Sequence, residues 1–178
     1  NEVLDSDKSS ISIKNKLNLI KSKFIIAPGF ICSNEKNEIS NLGRGGSDYT
    51  AAIIAKYSDA KTLEIWTDVS GVYSANPKLV KKASPIEFLS YKEAMELSFF
   101  GAKVIYFPTL QPLIEDNIPV YIKNTFKPED NGTCISNSTK LDGDEIVKGI
   151  SHIENISILN FEGSGMVGVP GFSKRFFE

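Results

Sequence analysis

The sequence is poor in the residues that build disulfide frameworks and metal centres. Cys32 and Cys134 are its only cysteines and His152 its only histidine. Two thiols so far apart make neither a disulfide scaffold nor a four-ligand zinc site, and both are expected as small buried apolar residues in a reducing compartment. Charge of one sign is also lacking: 20 Lys and Arg stand against 22 Asp and Glu, a formal net charge of -2. That balance supplies no field for a polyanion, so no nucleic-acid partner is expected and any phosphate must be held by a few placed cations and backbone amides. No apolar run approaches the ~20 residues of a bilayer span, and the N-terminus carries no signal-peptide pattern. No membrane partner is expected, and a cytoplasmic location follows. The N-x-[ST] sequons at Asn131, Asn137 and Asn155 are read as chance matches on that basis.

What is present is the composition of an ordinary globular protein, 41% hydrophobic and 24% charged, which excludes long disordered stretches. The 178 residues suffice for one domain or for one large piece and the start of another. Residues 1–22 are polar, with an apolar spacing at Ile11, Ile13, Leu17 and Ile20 that fits a helix. Lys23 to Ala27 reads as a buried strand broken by Pro28-Gly29, and Asn34 to Asn41 as a polar loop. From Ser47 the pattern turns helical, with Ala51, Ala52, Ile54 and Ala55 forming a small-residue face that packs closely on a sheet.

Thr62 to Trp66 predicts a strand, and Ser90 with Glu93 a capping box that opens a helix. Pro108 starts another helix, and Pro119 to Lys123 and Thr133 to Ile135 are further strands. Strands alternating with helices predict an α/β layered domain with a largely parallel sheet. After a polar stretch from Asn137 to Asp144, Ile146 to Phe161 reads as strand material, followed by a glycine-rich run and a helix, which makes a second, smaller unit.

Two segments carry chemistry. Gly43-Arg44-Gly45-Gly46-Ser47-Asp48 lies between a loop and a helix start. Glycines there allow positive φ and close backbone approach, first-turn amides bind anions, and the Arg44 guanidinium is a fork for a carboxylate. The alternative is a plain glycine turn capped by Ser47 or Asp48 with Arg44 in solvent. The hexapeptide fits neither GxxxxGK[ST] nor GxGxxG. The second segment is Trp66-Thr67-Asp68-Val69 leading to Gly71-Val72-Tyr73, polar residues at the carboxyl end of a strand, where α/β sheets bind ligands. Tyr73 borders a base and Asp68 accepts a hydrogen bond in that reading; in the other, Asp68 starts a turn and Tyr73 is core. Lys103 ends the helix begun at Ser90, where dipole compensation alone explains it, and Lys78, Lys81 and Lys82 fit a solvated face. Glu64 needs a partner if buried, and His152 has no nucleophile or metal companion.

In this order LGRGGSDYTAA (42–52), EIWTDVSGVY (64–73), EAMELSFFGAKV (93–104) and IPVYIKNTFKPEDNGTCI (118–135) resemble aspartokinases of the amino acid kinase superfamily. VKGIS (147–151) and GSGMVGVPG (163–171) extend the resemblance, and their wording is most similar to bifunctional enzymes that fuse aspartokinase to homoserine dehydrogenase. The resemblance implies the C-terminal portion of a kinase catalytic domain over 1–136, a linker over 137–144, and over 145–178 the start of a ferredoxin-like ACT domain. It implies ATP-dependent phosphorylation of the L-aspartate β-carboxylate to β-aspartyl phosphate, with ATP carried as its Mg complex. Arg44 would hold the aspartate carboxylate with Gly45 and Ser47 beside it, and Asp48 would hold a catalytic lysine. Thr67, Asp68 and Tyr73 would line the ATP site, with Lys78 and Lys103 on its phosphates. It further implies a homo-oligomer inhibited by an amino-acid effector, threonine or lysine, at ACT modules.

Four departures accompany the resemblance. No K-x-G-G motif is present, so this chain alone is expected to be inactive. Lys78 stands where arginine is usual, Asn76 where aspartate is usual, and Tyr106-Phe107 where His-Pro is usual. The rival readings are a kinase for glutamate, acetylglutamate or a nucleoside monophosphate, and a regulatory subunit that keeps the fold without catalysis. WTDV, GVY and FGAKV with the ACT start speak against the first, and GRGGSD and WTD against the second.

Overall fold

The computed structural model describes residues 4–101, 104–137, 147–157, 171 and 174. Chain order runs helix α1 (Ser6–Leu19), strands β1 (Ile31–Ser33) and β2 (Ile39–Asn41), helix α2 (Gly46–Tyr57) and strand β3 (Leu63–Thr67). Then come β4 (Phe88–Ser90), α3 (Tyr91–Phe99), a 3-10 turn (Phe107–Leu110), α4 (Gln111–Glu115), β5 (Val120–Asn124) and β6 (Thr133–Ser136). No described helix is long and apolar enough to cross a membrane.

The main sheet has the order β3-β5-β6-β4. β3 runs parallel to β5 with Ile65 opposite Ile122, and β4 runs parallel to β6 with Leu89 opposite Ile135. The central β5–β6 pair is antiparallel. β5 and β6 are joined by a short connection without a helix, which turns the chain straight back. The sheet is therefore mixed and largely parallel, as expected, with two of its three pairings parallel.

One face of the sheet builds the core. Val120, Ile122, Ile135, Leu89 and the polar Thr133 point into it, alternating with half-exposed neighbours at the period of two. They meet Ala52 and Ala55 of α2, Ala94 of α3, and Leu110 and Leu113 of the 3-10 turn and α4. Each such aliphatic side chain stabilises the fold by about 1.5–3 kcal/mol on burial. The opposite face is open: Trp66 is exposed, its indole N–H donates to Glu64, and Lys123 sits over its ring at 5.5 Å. Glu64 is thus not a buried charge. Cys134 lies at a half-exposed position of β6 opposite Tyr121, and Cys32 is half-exposed on the β1–β2 hairpin. The expectation of buried thiols is corrected: strand alternation turns Cys134 away from the core, and Cys32 lies on a two-stranded hairpin apart from the main sheet.

The capping box is realised in full. Ser90 Oγ accepts from the Glu93 N–H at 3.1 Å, and Glu93 accepts from the Ser90 N–H at 2.7 Å. α3 ends at Phe99, short of the Lys103 expected at its end; Lys103 lies outside the described residues. Tyr91 is buried at the α3 start, and its hydroxyl donates to the Ile118 carbonyl just before β5. Burial, with a smaller contribution from Cys134, pushes that phenol up to about 12.

Three further expectations are corrected. Lys23 to Ala27 is neither strand nor buried: Phe24 is 79% and Ile26 99% exposed, because no described strand offers their backbone a partner. Asn34 to Asn41 is a loop only as far as Glu38. It is the turn of the β1–β2 hairpin, in which the Asn34 side chain accepts from the N–H groups of Lys36 and Glu38. The strand read over Ile146 to Phe161 is absent from residues 147–157, where the Ile150 N–H bonds the loop carbonyl of Ser74 instead of a strand partner. Most of the ACT start and of the linker falls outside the described residues.

Candidate active site

The GRGGSD segment forms the N-terminus of α2. Gly45 is the N-cap at φ 71°, and no side chain caps the helix, so the first-turn N–H groups of Ser47 and Asp48 face outward without a side-chain acceptor. Only glycine fits at 45: an added Cβ would lie 2.7 Å from Thr109 Cγ2 and 3.0 Å from Tyr106 Cβ. The 3-10 turn is therefore pressed against this cap. Tyr106 also lies beneath Arg44, with the guanidinium carbon 5.1 Å from the ring centroid. The aromatic in place of the usual histidine gives Arg44 a cation–π platform that steers its fork. From the other side the hairpin holds the helix start. Thr50 Oγ1 accepts from the Phe30 N–H at 3.0 Å and donates to the Gly46 carbonyl at 2.9 Å.

Asp48, in the first turn of α2, is half-buried, and burial pushes its carboxyl up from the ordinary aspartate value. No ion pair reaches it among the described residues. Ser47 is exposed beside it. This end of the helix thus holds an outward fork, free amides and an unpaired carboxyl within a few residues.

The second segment lies at the same end of the molecule. α2 and β3 are joined by residues 58–62, and 12 helical residues span about 18 Å against about 17 Å for five strand residues. The two therefore run antiparallel with the α2 start near the β3 end. Thr67 closes β3, its hydroxyl donates to Asp68 at 3.2 Å, and its carbonyl accepts from the Thr125 N–H at 2.8 Å. Asp68 is exposed at this edge. Tyr73 is half-buried, bridges antiparallel to Pro85, and lines an open cleft of about 340 Å³ with Ser70, Glu87, Lys127, Asp130 and Gly132. Lys78 is exposed; its N–H is held by the Asn76 side chain at 3.0 Å, so asparagine keeps the turn that the usual aspartate would make.

Beneath this cleft runs a closed polar network. The Asn124 amide donates to Ser70 at 2.9 Å, and Ser70 donates to Asp130 at 2.5 Å. Thr133, fully buried, accepts from the Val72 N–H at 2.8 Å and donates to the Ile86 carbonyl at 2.6 Å. Among the described residues no buried side-chain polar atom lacks a partner. Lys127, Asp130 and Asn131 at this edge were given no role from sequence. The signal was present, since a turn-rich Lys-Pro-Glu-Asp-Asn-Gly run between two strands marks a connection at a ligand-binding edge. A second groove of about 200 Å³, by Tyr49 and Gln111, lies toward the far end of α2, where Lys56 pairs with Glu115 at 2.8 Å, and none of Arg44, Gly45, Ser47, Asp48, Thr67, Asp68, Tyr73 and Lys78 lines it.

Among known proteins, residues 3–124 match the amino acid kinase family. The chain is 47% identical over 161 residues to the bifunctional aspartokinase/homoserine dehydrogenase of Haemophilus influenzae, covering 90% of this chain and 20% of that protein. Its fold resembles the aspartate kinase of Clostridium acetobutylicum at TM-score 0.75 and 38% identity, over 83% of this chain and 34% of that one. It also resembles Escherichia coli aspartokinase III in complex with aspartate and ADP, at TM-score 0.67 and 38% identity, over 76% of this chain and 30% of that one. With the family match extending over more than half of its residues, the chain belongs to the amino acid kinase family.

Proposed function

We propose that the protein carrying these residues is an aspartate kinase, which transfers the γ-phosphoryl group of ATP to the side-chain carboxylate of L-aspartate to give β-aspartyl phosphate and ADP. The observation that carries this reading is the α2 N-terminus: an uncapped helix start beside the Arg44 fork, with a half-buried Asp48 that has no cation among the described residues. An anionic acceptor fits the amides and the fork, and a lysine from elsewhere in the protein fits Asp48. The solved relative bound to aspartate and ADP supports this pairing of ligands.

Phosphoryl transfer depends mainly on positioning and charge neutralisation, so the residues divide by ligand. Arg44, Gly45 and Ser47 hold the acceptor. Asp68 and Tyr73 border the nucleotide with Thr67, and Lys78 and Lys103 reach its phosphates. A magnesium ion carried on the nucleotide phosphates needs few protein ligands, and Asp68, exposed at the end of β3, would take it. When bound there, magnesium would neutralise charge on the transferred group. A homo-oligomer with ACT modules that bind threonine or lysine belongs to the same reading and rests on VKGIS and GSGMVGVPG.

An ATP- and aspartate-dependent hydroxamate assay on the full-length protein, beside Arg44→Ala and Asp48→Asn, tests the proposal. Aspartate-specific activity should fall about 100-fold or more in each variant. The melting temperature of Asp48→Asn should not fall, because burial disfavours its charged form. The 178-residue chain alone should show no turnover. Activity with another amino acid in place of aspartate, or variants as active as the parent, would overturn the reading.

A further inference from the structure

Residues 148–153 lie outside the sheet, yet they fasten the two segments that flank the nucleotide side of the site. Lys148 Nζ lies 2.9 Å from Glu93 Oε1 and 3.2 Å from its Oε2, with both side chains partly covered. The Ile150 N–H donates to the Ser74 carbonyl at 2.8 Å, directly after Tyr73. Ser74 in turn donates its N–H to Ser84, and Ile86 donates to Val72, so one bond holds a closed loop from Val72 to Ile86. Gly149 packs against the end of that loop and against α3; an added Cβ would lie 3.2 Å from Ile86 Cδ1 and 3.3 Å from Leu97 Cδ2. The His152 carbonyl rests on Gly101, where any Cβ would run into it. Gly101 stands two residues before Lys103 in the chain.

We propose that Lys148 to Ile153 form a strap that positions the nucleotide side of the site, with Lys148 as a positioning residue acting through Glu93. The proposal rests on the nucleotide reading of the Tyr73 cleft. One contact anchors the strap to the α3 cap, a second holds the Tyr73 loop, and a third sits on the corner that leads to Lys103. None of them touches the Arg44 and Asp48 end. The strap therefore controls nucleotide affinity without entering the chemistry. A partly exposed ion pair and one backbone bond add little global stability, so its loss appears as local opening and not as unfolding.

The test uses the full-length protein with Lys148→Ala, Lys148→Arg and Ile150→Pro, the last deleting the bonding N–H. Steady-state kinetics and amide hydrogen exchange are read together. KM for ATP should rise about 3- to 10-fold in Lys148→Ala and Ile150→Pro, with kcat and KM for aspartate within twofold, and Lys148→Arg should restore it. Exchange at the Ser74 and Ile86 amides should quicken while that of β5 stays slow. Unchanged exchange in both variants overturns the strap, as does a uniform loss of kcat, both KM values and melting temperature. If the parent proves inactive on aspartate, the kinase reading fails, and the exchange measurement still decides the strap.

Discussion

The two ends of the candidate site are built on opposite plans. On the proposed nucleotide side every buried side-chain polar group among the described residues is matched: Asn124, Ser70 and Asp130 form a relay, and Thr133 joins Val72 to Ile86. On the proposed aspartate side the charges are left open: among the described residues Arg44 is supported from below by Tyr106 alone, and Asp48 is half-buried without a cation. A self-satisfied network is rigid before any ligand arrives, whereas an unsatisfied pair of charges is stabilised only by what binds it. On the proposed reading, the first edge is a preformed scaffold and the second a receptor for charge.

The largest break in this contrast comes from Thr133→Val. It removes one hydroxyl that serves two backbone groups in a fully buried place, so the protein should lose roughly 2–4 kcal/mol of stability in urea denaturation. The Tyr73 loop should loosen with it. A loss below about 0.5 kcal/mol would mean that the edge is not held by this network.

A smaller effect sharpens the aspartate side. Tyr106→Leu should raise KM for aspartate about 2- to 5-fold, the worth of an exposed cation–π contact, while KM for ATP stays put. Tyr106→Phe should retain the parent value, since the ring and not the hydroxyl faces Arg44. Equal shifts in both KM values would show that the two ends are not separable.

The smallest effect is a pH dependence at Glu93. Burial alone would raise its carboxyl, but donation from the Ser90 N–H, from Lys148 and from the Ser90 hydroxyl outweighs this and holds it below the ordinary 4.5. A depressed folded value means that the unfolded chain binds the proton more readily. The stabilisation is therefore complete above 4.5 and is lost as pH falls through the lower folded value. Glu93→Gln should cost about 0.5–1 kcal/mol at pH 7, and the gap from the parent should close in acid. A gap that persists at pH 3 would remove the charge from the explanation.

Local chemistry made much of this legible from residues alone. Ser90 and Glu93 announced a capping box, the small residues after Ser47 announced a close-packed helix, and Thr62 to Trp66, Pro119 to Lys123 and Thr133 to Ile135 announced the core strands to within a residue or two. What escaped was non-local. Lys23 to Ala27 has a strand's composition, but pairing is decided by a neighbour and not by composition. The antiparallel β5–β6 return and the Lys127 to Gly132 rim depend on where a short connection lands. The Arg44–Tyr106 contact joins residues 62 apart in number, brought together only by packing of the 3-10 turn on α2.

Gly43 and Gly45 share the same backbone angle, φ 71°, and differ in what surrounds them. Around Gly43 an added Cβ meets nothing within 4 Å, whereas at Gly45 it collides with the 3-10 turn. Anyone reshaping the acceptor end for a longer or differently charged amino acid thus has one adjustable hinge and one fixed one. Asparagine, which tolerates this angle, is a usable graft at 43, where it adds a polar arm beside Arg44. At 45 the alphabet has a single letter, and selection for a new acceptor has to proceed around it.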